Sequence, residues 1–148
     1  NNIARRGLAS VSISTGQLEA WNPNTGGSAT YTFRGGTRLG DHLYVVGDFT
    51  EIGTSARAGL AKIHAQTGAL DNLWVPTATG SSFDNVRRID SDGSNLYFSG
   101  NFTTVNGVAR ARVAKVDSIN GTLSAWAPAF NGSVNGQAID GGFYYAAG

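Results

Sequence analysis

The chain has 148 residues, with 11 basic and 10 acidic side chains that leave a formal net charge of +1. This low, balanced charge excludes the basic surface that nucleic acids and anionic membranes require. The absence of Cys excludes disulfide frameworks and thiolate metal sites. The apolar residues are mostly β-branched, aromatic or Ala, which predicts one all-β domain over residues 1–148. We therefore expect no nucleic-acid partner and no membrane insertion.

Landmarks that recur at intervals of 52 or 53 residues divide the chain into three copies of one unit, residues 1–52, 53–105 and 106–148. An Ala-Arg pair opens each copy, a Trp stands two residues before a Pro, and a Gly closes an apolar run. The interval to the last Gly is 48 residues, because the preceding loop is shorter. The repeated residues are Arg5, Arg57 and Arg110; Trp21, Trp74 and Trp126; and Gly47, Gly100 and Gly148.

Each copy predicts four short strands. They are expected at residues 8–13, 18–21, 31–37 and 43–49, then at 60–64, 70–75, 83–89 and 96–102, and finally at 113–117, 123–127, 134–139 and 143–147. Thr-Gly or Asn-Gly follows the first strand of each copy and predicts a hairpin, because Gly tolerates positive φ. Alternation in these strands predicts that one face packs, whereas the other, with Lys62 and His64, is wetter at its far end.

The strict recurrence of Trp and Arg favours structural roles for both. A sugar-stacking platform would be exposed and would not need to recur in every repeat. We therefore predict that the three Trp pack between neighbouring sheets, where truncation of a buried indole costs about 3–5 kcal/mol. The three Arg are expected to make structural hydrogen bonds or stacking contacts rather than to capture a ligand.

The segments LYVVGDFTEIG, ARAGLAKI and TGALDNLWVP, with their counterparts in the other copies, resemble the delta-60 repeat of bacterial secreted and surface proteins. That repeat belongs to a β-propeller family whose function is largely unassigned. The chain departs from the usual pattern at Val46, Ser99 and Ala147, where the family has a second Gly. It also departs in the longer loops before Tyr31 and Phe83. These departures do not change the predicted fold. They do not support a ligand site shared with the family.

The resemblance implies that each four-stranded unit is a propeller blade, with two complete blades and two half blades in these residues. Propellers close with about four to eight blades, so further repeats in the same or other chains are expected as partners. A β-trefoil is the alternative fold, since three units of four strands also describe it. A trefoil has no reason to lack a third x-Phe-Thr-x-x segment after Gly148. Because an open array exposes strand edges, we expect no stable isolated monomer.

Two groups of residues suggest a metal site or a catalytic site, and each group also has a purely structural explanation. Asp90, Asp92 and Asn95 present oxygen atoms at the spacing of a calcium loop, but an Asx/Gly turn accounts for the same residues. Calcium is therefore the one candidate cofactor. Ser12, His64 and Asp117 have the residue types of a catalytic triad, but they occupy one position in successive repeats and should lie too far apart to react. His42 and His64 are the only His residues and cannot hold a metal unaided.

These observations predict a non-enzymatic extracellular or cell-surface propeller that acts as a scaffold or interaction module. The variable loops at residues 24–30 and 77–82 are where a protein partner would be recognised. A carbohydrate-binding module is the first alternative and would use exposed aromatic residues. A glycan hydrolase or lyase is the second and would need a close carboxylate pair. The candidate sugar platforms are Tyr31, Phe83 and Phe130.

Overall fold

A computed structural model describes residues 7–23, 32–80 and 85–148, and this part of the chain contains strands and turns but no helix. The all-β expectation is confirmed. None of these residues forms a helix that could span a membrane. The strands are β1 Phe33–Leu39, β2 His42–Gly47, β3 Glu51–Ile52, β4 Ser55–Ala56, β5 Leu60–His64, β6 Ala78–Thr79, β7 Val86–Ser91, β8 Asn95–Gly100, β9 Thr104–Val105, β10 Val108–Ala109, β11 Val113–Asp117, β12 Gly136–Asp140 and β13 Phe143–Ala147.

Two three-stranded antiparallel sheets form the body of the described chain, in the orders β1-β2-β5 and β7-β8-β11. We call them the first and second sheets. A last hairpin, β12-β13, continues the series. The first strands line up, since β1 packs against β7 and β7 against β12. Each full sheet thus combines the last two predicted strands of one copy with the first predicted strand of the next.

The second predicted strand of each copy is reduced to a single bridge. The pairs are Val11↔Leu18, Ile63↔Leu70 and Val116↔Leu123. Strands over 18–21, 70–75 and 123–127 were therefore wrong, and so was the one over 8–13, which contributes only the bridge at Val11. Polar side chains capture the backbone N–H groups that would continue the ladder: Asp71 Oδ1 accepts from Leu73 and Trp74, and the Ser124 hydroxyl accepts from Trp126.

Several other boundaries also differ from the prediction. Strands at 60–64, 113–117 and 143–147 are confirmed, whereas those expected at 43–49 and 96–102 end at Gly47 and Gly100. The predicted strands at 31–37 and 83–89 begin outside the described residues. The prediction at 134–139 becomes Gly136–Asp140. The two-residue strands β3, β4, β6, β9 and β10 were missed, because two residues carry no alternation.

The core consists of two clusters, one on each face of the first sheet. Val45, Ala61 and Ile63 face the N-terminal hairpin, whereas Val46 and Leu60 face the second sheet. The face expected to be wetter at its far end is partly exposed there, at His64, but Lys62 on the same face is only 7% exposed. Its ammonium group lies 2.9 Å from Asp71 Oδ2, and this ion pair offsets the free-energy cost of removing the charge from water.

Gly47, Gly100 and Gly148 share one backbone environment, which explains why they recur. A Cβ atom on each would collide with a carbonyl oxygen of the neighbouring strand, that of Thr32, Asn85 and Ser133 respectively. The same close approach forms a hydrogen bond in the next residue, from Asp48 N to Thr32 O at 2.8 Å and from Asn101 N to Asn85 O at 2.9 Å. Glycine is therefore required for strand proximity.

We predict that Gly100→Ala lowers the free energy of unfolding by at least about 2 kcal/mol, because a backbone carbonyl cannot move aside as a flexible side chain could. Urea denaturation of the full chain measures the loss. Gly132→Ala is the matched control, since a Cβ atom there meets nothing within 4 Å. Equal stability of the two variants would contradict the role assigned to Gly100.

Candidate functional site

The contact between the first and second sheets is closed by Trp74, which is fully buried. Its indole Nε1 donates to the backbone oxygen of Asp117 at 3.1 Å, at the end of β11. The ring of Tyr44 meets the indole edge-on with centroids 5.2 Å apart. Trp21 repeats the arrangement one sheet earlier and donates to His64 O at 3.2 Å. Trp74 therefore lies between the first and second sheets, and Trp21 lies between the N-terminal residues and the first sheet.

Two further donors reach the same turn from the first sheet. The Tyr44 hydroxyl donates to Ser118 O at 2.7 Å, and Lys62 Nζ donates to Ile119 O at 3.4 Å. Together with Trp74, they bind three consecutive carbonyl groups. Burial raises the pKa of Tyr44 to about 12, so the phenol stays protonated and remains a donor. We call this set of Tyr, Lys and Trp with its bound turn the first seat.

Ser12, His64 and Asp117 each begin a turn in a different repeat and bind that turn's own backbone. Ser12 Oγ accepts from Thr15 N, and His64 Nδ1 accepts from Gln66 N and Thr67 N. Asp117 Oδ1 accepts from Ile119 N and Asn120 N at 2.8 and 2.9 Å. The three side chains thus share a turn-capping role, in which hydroxyl, imidazole and carboxylate are interchangeable acceptors.

Arg57 and Arg110 also make matching contacts with the backbone. Arg57 is 6% exposed and donates to Ala56 O at 2.6 Å and to Asp71 O at 3.0 Å. Arg110 donates to Ala109 O at 2.7 Å and to Ser124 O at 2.6 Å. Each guanidinium therefore connects the β-hairpin that follows the second strand of its sheet to the segment that carries the Trp, residues 70–75 or 123–127. Arg5 lies outside the described residues.

The calcium candidates form an Asx turn around Asp92. Its Oδ1 accepts from Ser94 N and Asn95 N at 2.9 and 2.7 Å, and its Oδ2 accepts from the Tyr97 hydroxyl at 2.8 Å. Burial would raise the pKa of Asp92, but these hydrogen bonds outweigh it and hold the pKa at about 2. Asp90 accepts from Ser91 N at 2.9 Å. Both carboxylates are therefore already engaged by the protein.

His42 and His64 are cross-strand neighbours, with ring centroids 5.5 Å apart. Burial, the Lys62 ammonium group and His64 lower the pKa of His42. Within residues 7–23, 32–80 and 85–148, no group of three His, Asp or Glu side chains could hold a metal ion. The two His residues therefore form no metal site with other described residues, and His64 caps a turn.

A cleft of about 580 Å³ lies between the second sheet and the last hairpin. Trp126, Tyr97 and Tyr144 form an aromatic cluster in its wall, with each pair of ring centroids 5.3 to 6.0 Å apart. Asp92 and Asp140 add carboxylates at the rim. Phe143 and Tyr145, on β13, are 67% and 54% exposed. This aromatic wall was missed, because Trp126 reads as a buried repeat position.

The remaining aromatic candidates are dispersed. Phe130 lines a separate cleft of about 360 Å³ with Arg110, Arg112 and Pro128. Tyr31 and Phe83 lie outside the described residues, as do residues 24–30 and part of the loop at 77–82. Another cleft, of about 380 Å³, lies where Phe49, Ala78 and Asn85 approach one another.

One family model matches the chain, and its description is a domain of unknown function (DUF5122) beta-propeller. The match covers residues 41–73, from the turn before β2 to the residue before Trp74. It supports a β-propeller family and, of the two folds expected, it favours the propeller. The curated proteins contain no match to this chain.

We predict that Trp74→Phe lowers the free energy of unfolding by about 1–3 kcal/mol, because Asp117 O loses its buried donor. Trp126→Phe is the matched control, since no acceptor for its indole N–H occurs among the described residues. The control should cost less than half as much. Urea denaturation at one low protein concentration compares them, and equal losses would contradict the role of the indole hydrogen bond.

We also predict an acid-sensitive contribution from Asp92. Its pKa of about 2 lies below the ordinary aspartate value of 3.8, so the stability it contributes is present above about pH 4 and is lost as pH falls toward 2. Asp92→Asn should flatten the fall in unfolding free energy across this window. Asp140→Asn, in the same cleft, is the control and should leave the fall in place. A wild-type slope in Asp92→Asn would refute the assignment.

Proposed function

We propose that this chain is a non-enzymatic segment of a β-propeller, related to the delta-60 repeat, and that it serves as a scaffold or interaction module of a secreted or cell-surface protein. The observation that supports the proposal is that many polar side chains of this chain bind its own backbone. Asp71, His64, Asp92, Asp117 and Arg57 all bind backbone groups of their own turns and hairpins. Residues committed in this way organise a scaffold.

The same commitment argues against a glycan hydrolase or lyase. Such an enzyme needs a protonated carboxyl group as general acid near neutral pH, which requires a raised pKa. Asp92, a carboxylate in the cleft beside Trp126, has a pKa of about 2 and is ionised at neutral pH. Its oxygen atoms are also occupied by internal donors. The abundance of Gly, Ser, Thr and Asn supports an extracellular setting.

One observation favours the carbohydrate-binding alternative. The cleft beside Trp126 combines aromatic rings with carboxylate and amide groups, and Asp92, Asn95 and Asp140 contribute to its lining. Sugars bind such surfaces by stacking on an aromatic face while polar groups contact their hydroxyls. The cleft is nevertheless bounded by an open sheet edge, so a further repeat of the propeller is the occupant we favour.

A panel of immobilised glycans, probed with the full chain, separates the two functions. The scaffold proposal expects no glycan to bind above background and no release of reducing ends from polymeric glycans. Binding that disappears in Phe143→Ala but survives in Ile119→Ala would replace the scaffold with a lectin-like module. Ile119 is the control because it is 76% exposed, like Phe143, but lies in the turn after β11 and does not line the cleft.

A further inference from the structure

The cleft of about 380 Å³ beside the end of β2 contains two buried oxygen atoms that receive no hydrogen bond. They are Asp48 Oδ1 and Asn85 Oδ1, and neither has a partner in the described chain. Both atoms are acceptors, so neither can satisfy the other. We call this space, which Gly59 and Ala78 also line, the Gly59 cleft. Buried acceptors are normally paired, so the two atoms indicate a donor that comes from another molecule.

The carboxylate of Asp48 uses only one of its oxygens within the chain. Arg34 Nε donates to Oδ2 at 2.7 Å, and Arg34 Nη2 lies 2.5 Å from the same atom. Oδ1 therefore keeps its lone pairs for a second donor, and hydrogen bonds to a carboxylate are strongest when the donor is charged. The Asp48 side chain is only 15% exposed, so it is largely shielded from water. This environment favours a cationic donor.

The next repeat contains such a donor within its own sequence. Asn101, Phe102 and Arg112 lie 53 residues after Asp48, Phe49 and Gly59. The guanidinium group of Arg112 donates through Nη1 to Asn101 O at 2.7 Å and to Phe102 O at 3.4 Å. A guanidinium group thus lies against the backbone that corresponds to one side of the Gly59 cleft. In the first repeat, Gly59 has no side chain to place there.

The backbone conformation shows that a guanidinium group is favourable at this position. The φ angles of Gly59 and Arg112 are +73° and +72°. Glycine adopts this left-handed conformation readily, whereas a residue with a Cβ atom is strained in it. Arg112 adopts it nevertheless, because its side chain gains hydrogen bonds to two backbone carbonyl groups. The interaction is strong enough to offset the strain.

The charge of the neighbouring side chain differs between the two repeats. Beside Arg112 it is the neutral Asn101, whose Oδ1 accepts from the Ser133 hydroxyl at 3.2 Å. Beside Gly59 it is the acidic Asp48, whose Oδ1 receives no such hydrogen bond. The first repeat therefore lacks the built-in cation and has a carboxylate in its place.

We infer that the Gly59 cleft binds the guanidinium group of another molecule, which is the arginine side chain of a partner protein or a small guanidinium compound. A guanidinium group presents several N–H donors in one plane, so it can donate to Asp48 Oδ1 and Asn85 Oδ1 together. Phe49 and Ala78 line the cleft and contact the apolar part of the ligand. The volume lies within the range of ligand pockets, about 300–1,000 Å³. The inference rests on the proposed interaction module and names the chemistry of its partner.

Isothermal titration calorimetry of the full chain with capped amino acids tests the chemistry of the ligand. N-acetyl-arginine amide should bind at one site. The citrulline compound has the same shape but no charge, so it should bind about tenfold more weakly. The lysine compound has the charge but lacks the planar fork, and it should also bind more weakly. No binding of the arginine compound, or equal binding of either control, would overturn the guanidinium assignment.

Two matched variants test the position of the site. Asp48→Asn copies the side chain of Asn101 and should weaken binding of the arginine compound about tenfold, because the charge is lost. Asp41→Asn is the control, since Asp41 lies in the turn before β2 and does not line the cleft, and it should bind like the wild type. Near-ultraviolet circular dichroism checks that both variants fold. An equal effect of the two substitutions would refute the site.

A third variant tests the unpaired acceptors. Asn85→Ser copies Ser133, whose hydroxyl donates to Asn101 Oδ1. The new hydroxyl should donate to Asp48 Oδ1 and compete with the ligand, which weakens binding about threefold to tenfold. Unchanged binding would contradict the role of Asp48 Oδ1.

Nuclear magnetic resonance of the wild type locates the site without any substitution. The arginine compound should shift the amide resonances of Gly47, Gly59 and Gly80, which line the cleft. It should leave those of Gly93 and Gly132, which do not line it, in place. Shifts confined to residues outside the cleft would overturn the inference, even if a variant failed to fold.

The two sources of the ligand are separated by comparing free arginine with an acetylated and amidated Gly-Arg-Gly peptide. Tighter binding of the peptide identifies a protein side chain, and tighter binding of free arginine identifies a small molecule. Either result supports guanidinium recognition, and binding of neither refutes it. A refuted guanidinium site would leave the scaffold proposal standing, because the glycan panel tests that proposal separately.

Discussion

The structure depends on one repeated interaction, the hydrogen bond from a buried indole N–H to a turn carbonyl of the next sheet. Trp74 makes it to Asp117 O, and Trp21 makes it to His64 O. A buried indole nitrogen needs a partner, so its position relative to the carbonyl sets the spacing and rotation of neighbouring sheets. Aliphatic packing alone, as in the cluster that Val46 of the first sheet forms with Leu96 and Val116 of the second, tolerates sliding. The Trp contact makes the stacking specific and explains why Trp recurs at positions 21 and 74.

Turn chemistry accounts for much of the polar composition. Ser12, His64 and Asp117 differ in charge and reactivity, but each accepts hydrogen bonds from the backbone that follows it. Asp71 does the same for Trp74 and also neutralises Lys62. Burial would raise the pKa of Asp71, but its hydrogen bonds with Lys62, Leu73 and Trp74 lower it, so the carboxylate stays ionised. Residue types common in catalytic sites thus serve the fold here, and their positions are set by the turns.

The clefts beside the stacked sheets differ in how far their polar groups are satisfied. Between the first and second sheets, the donors of the first seat are all satisfied. At the last hairpin, the same residue types face solvent beside Trp126, Tyr144 and the edge of β13. The same residue types therefore differ in their accessibility, because a neighbouring turn covers them in one place and not in the other.

The sequence alone determined the repeat, the all-β class and the strands over 60–64, 113–117 and 143–147, because alternation and Gly turns are local signals. It also pointed to Trp74 and Gly100 as recurring structural positions. The tertiary structure decided the rest. The strands expected after Leu70 and Leu123 shrank to bridges, because side chains of Asp71 and Ser124 took their N–H groups. Lys62 became buried through its partner Asp71, and Trp126 remained at an open cleft. The burial of Lys62 and the exposure of Trp126 depend on which residues meet in the folded chain, and the sequence of one segment does not specify those contacts.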